Sequence, residues 1–145
     1  MITDKTTDPS KGLSPLSELT DDYQNSKITN RTEFSMNEKQ FLGKIALFGE
    51  GDLFFEKISN KLNISLPTSP NTTAYNDKIT ALWLSQKEWL IVVSASTDAE
   101  EVTSLQNHIS DIHALALDVS DRWTTINVSG KKAVVLVLVV VLVVL

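Results

Sequence analysis

The sequence predicts an α+β domain, an antiparallel sheet with two helices on one face, in the order β-α-β-β-α-β-β. Three observations carry this. The stretch 81–93, ALWLSQKEWLIVV, reads as two strands (79–85 and 88–94) about a polar Gln86-Lys87 turn. Stripes of apolar residues at helical spacing lie before and after it, over 53–62 and 102–112. Two further stretches, 114–119 and 123–128, alternate apolar with small or polar residues, as half-covered strands do. The first six elements match the split βαβ plan of ferredoxin-like sandwiches.

The central hairpin is apolar at odd and even positions alike. A strand with two apolar faces must be covered on both sides, which places the hairpin in the middle of the sheet. Trp83 and Trp89 are its largest side chains, and residues of this kind are ordinarily core; the competing reading has one of them line a partner surface or pocket.

In chain order, residues 1–40 are polar, with Leu13, Leu16, Leu19, Tyr23, Ile28 and Phe34 scattered singly. Neither a helical nor a strand period persists, so they read as an arm, either a loose tail or a segment that wraps a partner. The domain proper is expected over 41–132. Residues 44–48 (KIALF) form a short strand closed by Gly49 and Gly51, and Asp52 is placed to cap a helix over 53–62 with Phe54, Phe55, Ile58 and Leu62 on one face. Pro67 and Pro70 cannot donate to a ladder, so 66–72 (LPTSPNT) is read as a stiff connection. After the hairpin, Thr97-Asp98-Ala99-Glu100 is a capping box for a helix presenting Val102, Leu105, Ile109 and Ile112. Ser120-Asp121-Arg122 then joins the last two strands as a hairpin turn. The third region, 133–145, is an unbroken run of Ala, Val and Leu. As a helix it would reach only ~20 Å against a hydrocarbon core of ~30 Å, so a membrane span is not expected. A buried helix or strand, or an altered C-terminus, is expected instead.

Composition excludes several functions. The 145 residues carry a net charge of −5 and no basic stripe, which argues against nucleic acid. Without cysteine there is no disulfide, thiol nucleophile, iron–sulfur cluster or thiolate zinc site. The first twelve residues contain no apolar run, so no secretory leader is expected and the location is expected to be cytoplasmic. His108 and His113 diverge by ~140° at five-residue helical spacing, which disfavours a shared metal. No glycine-rich phosphate cradle is present. Asp118, Ser120 and Asp121 are a carboxylate pair on one reading and turn residues bonding their own backbone on the other.

Five segments taken together resemble a known family. Ser14-Pro15-Leu16, FLGKIALFGEGD (41–52), LPTSPNT (66–72), LWLSQKEWLIV (82–92) and LDVSDRWTTINVSG (117–130) are similar, in order and spacing, to segments of the gamma subunit of heterotetrameric sarcosine oxidase. The resemblance implies a fold related to the folate-binding domain of glycine-cleavage aminomethyltransferases. It implies a non-catalytic role in a flavoenzyme that oxidises sarcosine to glycine, with formaldehyde or methylene-tetrahydrofolate and hydrogen peroxide as further products. FAD, FMN and NAD would belong to the alpha and beta partner subunits and zinc to delta, with tetrahydrofolate as co-substrate and no cofactor on this chain. The alpha subunit would be its most direct contact. Pro67, Asn71, Trp83, Trp89, Asp118, Ser120 and Asp121 are the family-motif or interface candidates. The alternative is a stand-alone folate-binding domain using Asp118 or Asp121 near a pterin. The family continues past its Ser-Gly with a helix and a Gly-Cys region; here the valine-leucine run stands in their place, as in a truncated or frame-disturbed product.

Overall fold

The computed structural model describes residues 33, 35–39, 42–93 and 99–133. In order these form β1 (Ser35–Lys39), β2 (Gly43–Phe48), α1 (Asp52–Leu62), β3 (Thr73–Tyr75), β4 (Ile79–Ser85), β5 (Glu88–Val93), α2 (Ala99–His108), β6 (Leu115–Asp118), a 3₁₀ turn (Ser120–Arg122) and β7 (Thr125–Ser129). The segment around Ser14, the Thr97 capping box and residues 134–145 lie outside the described residues. The chain divides into two units, Phe41–Trp123 and the pair Met1–Gln40 with Thr124–Leu145.

The first unit holds a five-stranded antiparallel sheet ordered β3-β4-β5-β2-β6. The doubly apolar hairpin is internal, with β5 at the centre between β4 and β2. Pairing places Leu47, Trp89 and Trp83 in one row and Ile45, Ile91 and Ala81 in the next, all on one face. Both helices bury their stripes on that face. Phe54, Ile58 and Leu62 of α1, with Leu105 of α2 and Ile109 just past it, join Ile45, Leu47, Ile79, Ala81, Trp89, Ile91 and Ala116 in one core. The Phe54, Phe55 and Trp89 rings meet at 5.4–5.6 Å, with Phe55 edge-on to the other two. Such pairs add about 0.5–1.5 kcal/mol beyond area burial.

Asp52 does not cap α1. The N-cap is Gly51 at φ 87°, a conformation that costs an L side chain steric strain, and Asp52 stands in the first turn, where its charge favours the helix dipole. Gly49 is required for a different reason: a Cβ there would collide with the Phe54 ring. Asn63 ends α1 in the left-handed region at φ 54°, a conformation usual just past a helix C-terminus.

The observed order departs from the expected one at three places. Strand β1 lies within the polar N-terminal stretch, and β3 follows the proline loop as an edge strand on β4. Strands β6 and β7 are not a hairpin: β6 pairs with β2, and β7 pairs with β1. Local turn chemistry does not decide which strands pair, and here the long-range partners differ for β6 and β7. In β6 the expected half-cover is inverted: the small Ala116 faces the core, and the alternating leucines face away from it. On the face away from the helices, Leu90 is buried, but Leu115 and Leu117 of β6 remain 48% and 42% exposed.

In the second unit β1 and β7 form a two-stranded antiparallel ribbon, in register from Ser35 opposite Ser129 to Lys39 opposite Thr125. The rows Met36–Val128 and Glu38–Ile126 share one face, and polar rows make up the other. Lys132 extends the pairing through N–H donation to the Glu33 carbonyl at 2.8 Å and an ion pair with the Glu33 carboxylate at 3.0 Å. No helix among the described residues is long and apolar enough to cross a membrane.

Candidate functional site

The seven candidate residues separate into two clusters, both of which hold the backbone together. Trp89 is fully buried, and its indole N–H donates to the Pro67 carbonyl at 2.7 Å. That bond ties the proline loop, where Pro67 is itself buried, to β5. Asn71 turns the loop in the left-handed region at φ 58°. Thr72 closes it by donating to the Ser69 carbonyl at 2.6 Å and accepting, through its own carbonyl, the Trp83 N–H at 3.2 Å. The motif's tryptophans and its proline thus belong to one structural joint.

The second cluster is the corner after β6. One carboxylate oxygen of Asp118 accepts the Ser120 N–H at 2.9 Å and the Ser120 hydroxyl at 2.6 Å. Ser120 Oγ also accepts the Lys44 N–H at 3.0 Å, and the Val119 N–H donates to the Lys44 carbonyl at 2.9 Å. Lys44 is only 5% exposed, and its ammonium donates to the carbonyls of Leu42 (3.2 Å) and Ser120 (3.5 Å). Buried polar groups must be paired, and backbone carbonyls supply the partners here. Asp118 and Ser120 terminate β6 and pin the 3₁₀ turn to β2, while Asp121 is exposed on that turn.

A groove among the described residues lies elsewhere, at the end of the sheet where β2 leaves for α1. An open groove of about 500 Å³ is lined by Phe48, Gly49, Glu50, Lys87, Ile112, His113, Ala114 and Leu115. Its floor is apolar and its rim charged. Gly49 N–H donates to the Lys87 carbonyl at 3.1 Å, and the Lys87 ammonium pairs with the Glu50 carboxylate, so two chain turns are tied together at the rim. Hydrogen bonding from Lys87, and then its charge, hold the Glu50 carboxyl below the usual range; desolvation opposes this weakly and His113 adds a smaller lowering. None of the seven sequence candidates lines the groove.

Phe48 and Leu115 sit directly opposite each other in the β2–β6 pairing, as do Ala46 and Leu117. The groove therefore runs onto the face opposite α1 and α2, which these residues share with Leu82, Leu90 and Val92. An apolar face rimmed by polar groups is the surface type that marks association. Sequence reading missed it because groove and face draw single residues from separate segments. The one signal was the apolar even positions of the hairpin (Leu82, Leu90, Val92) and the alternating Leu115 and Leu117 of β6. Among the described residues, no three His, Asp or Glu side chains come together as metal ligands.

Neither a protein-family model nor a curated protein sequence matches this chain. Solved structures do. The chain is similar to a chain of the heterotetrameric sarcosine oxidase from Corynebacterium sp. U-96 in complex with pyrrole 2-carboxylate, with a TM-score of 0.75 and 17% identity, covering 86% of this chain and 64% of that one. It is also similar to the glycine cleavage system aminomethyltransferase T from Bartonella henselae, with a TM-score of 0.53 and 14% identity, covering 85% of this chain and 35% of that one. The α+β fold is shared with both. This chain spans less than two thirds of the length of either.

Proposed function

We propose that this chain is a non-catalytic gamma-type subunit of a heterotetrameric sarcosine oxidase, working by contact. The observation that carries the contact role is the sheet face opposite α1 and α2, where Leu115 and Leu117 stand half-exposed beside Phe48. The fold likeness to the sarcosine oxidase chain, and the five sequence segments in register, support the kinship. In this reading the alpha subunit is the direct partner, with beta and delta in the same complex. FAD, FMN, NAD and zinc sit in those partners, tetrahydrofolate is co-substrate, and the complex is cytoplasmic. The reaction is sarcosine oxidation to glycine, with formaldehyde or methylene-tetrahydrofolate and hydrogen peroxide.

A folate-binding aminomethyltransferase-like domain is the second reading, and the groove is what favours it, since about 500 Å³ falls within the size range of ligand pockets. Against it, Asp118 and Asp121 do not line the groove, and the carboxylate that does, Glu50, is already paired with Lys87. Co-expression with the alpha, beta and delta subunits, and pull-down through this chain, tests the first reading. A stoichiometric flavin-coloured complex with sarcosine-dependent peroxide production is expected. Recovery of the chain alone, with tetrahydrofolate binding by calorimetry, would replace it with the second.

A further inference from the structure

We draw no further inference here: the strongest candidate, the half-exposed apolar face of the five-stranded sheet around Leu115 and Leu117 with the open groove at its Phe48 end, belongs to the contact role already proposed, and nothing in the structure shows which surface covers it.

Discussion

The two faces of the five-stranded sheet are built from the same strands and the same residue types, yet they have different fates. Ile45, Leu47, Trp89, Ile91 and Ala116 face the helices and are at most 1% exposed. Their neighbours one residue along, Ala46, Phe48, Leu90, Leu115 and Leu117, face away from the helices and range from buried to half-exposed. Strand alternation makes the contrast residue by residue. It teaches that apolar character alone does not separate core from contact surface. What separates them, among the described residues, is the cover that α1 and α2 give to one face.

Substitutions on the two faces should therefore behave oppositely, and the largest effect belongs to the helix side. Trp89→Ala removes the ring that Phe54 and Phe55 pack on and the donor to Pro67, and is expected to cost about 3–5 kcal/mol in a urea titration. Trp89→Phe keeps a ring and loses the donor, so a markedly smaller loss is expected. Equal losses would mean that the hydrogen bond, and not the packing, fixes the proline loop.

Gly49→Ala comes next. Its methyl group meets the Phe54 ring, and overpacking of this kind costs about 1–3 kcal/mol. A variant with unchanged denaturation midpoint would show that the β2–α1 turn is looser than described. At the corner, Ser120→Ala removes the acceptor of the Lys44 N–H and one donor to Asp118, for a loss of about 1 kcal/mol. Hydrogen exchange should rise at the Lys44 amide in that variant and stay unchanged at Ile91.

Smaller still is the exposed pair between α1 and the turn after α2. Lys57 Nζ reaches Asp111 at 2.7 Å and 3.0 Å and the His108 carbonyl at 3.1 Å. The hydrogen bond from Lys57 holds the Asp111 carboxyl below its usual range. A carboxyl lowered in the folded state contributes stability above its unfolded pKa and loses it as pH falls through the folded value. The same sign applies to Glu50 beside Lys87. Any contribution from these pairs should therefore be constant at neutral pH and fade below about pH 4. Asp111→Asn should flatten that fade; an unaltered acid limb in thermal melts would remove the pair from the account.

Much of the sheet was legible from local signals. The hairpin announced itself because both faces of 79–93 are apolar and its turn is two polar residues. Helix α1 followed from Phe54, Ile58 and Leu62 recurring at helical spacing. Strands β1 and β3 did not follow, because SMNEK and TAY are short and carry little apolar pattern. Their pairing is set by partners distant in sequence, with Ser35 opposite Ser129. The hairpin expected at Asp118–Ser120 is not formed, since an aspartate bonding two residues ahead fits a turn whatever the flanking strands pair with. The groove was invisible, because Glu50, Lys87 and His113 are ordinary surface residues until three loops bring them to one rim.

The most direct test of the contact role targets the half-exposed pair without touching the core. Leu115→Asp and Leu117→Asp, made together, should lower the melting temperature of the chain far less than Trp89→Ala, because both side chains are half-exposed and Trp89 is fully buried. When co-expressed with the alpha, beta and delta subunits, wild-type chain should be recovered in a flavin-coloured complex and the double variant should be recovered alone. A double variant that remains folded and still assembles stoichiometrically would contradict the assignment of this face as the docking surface.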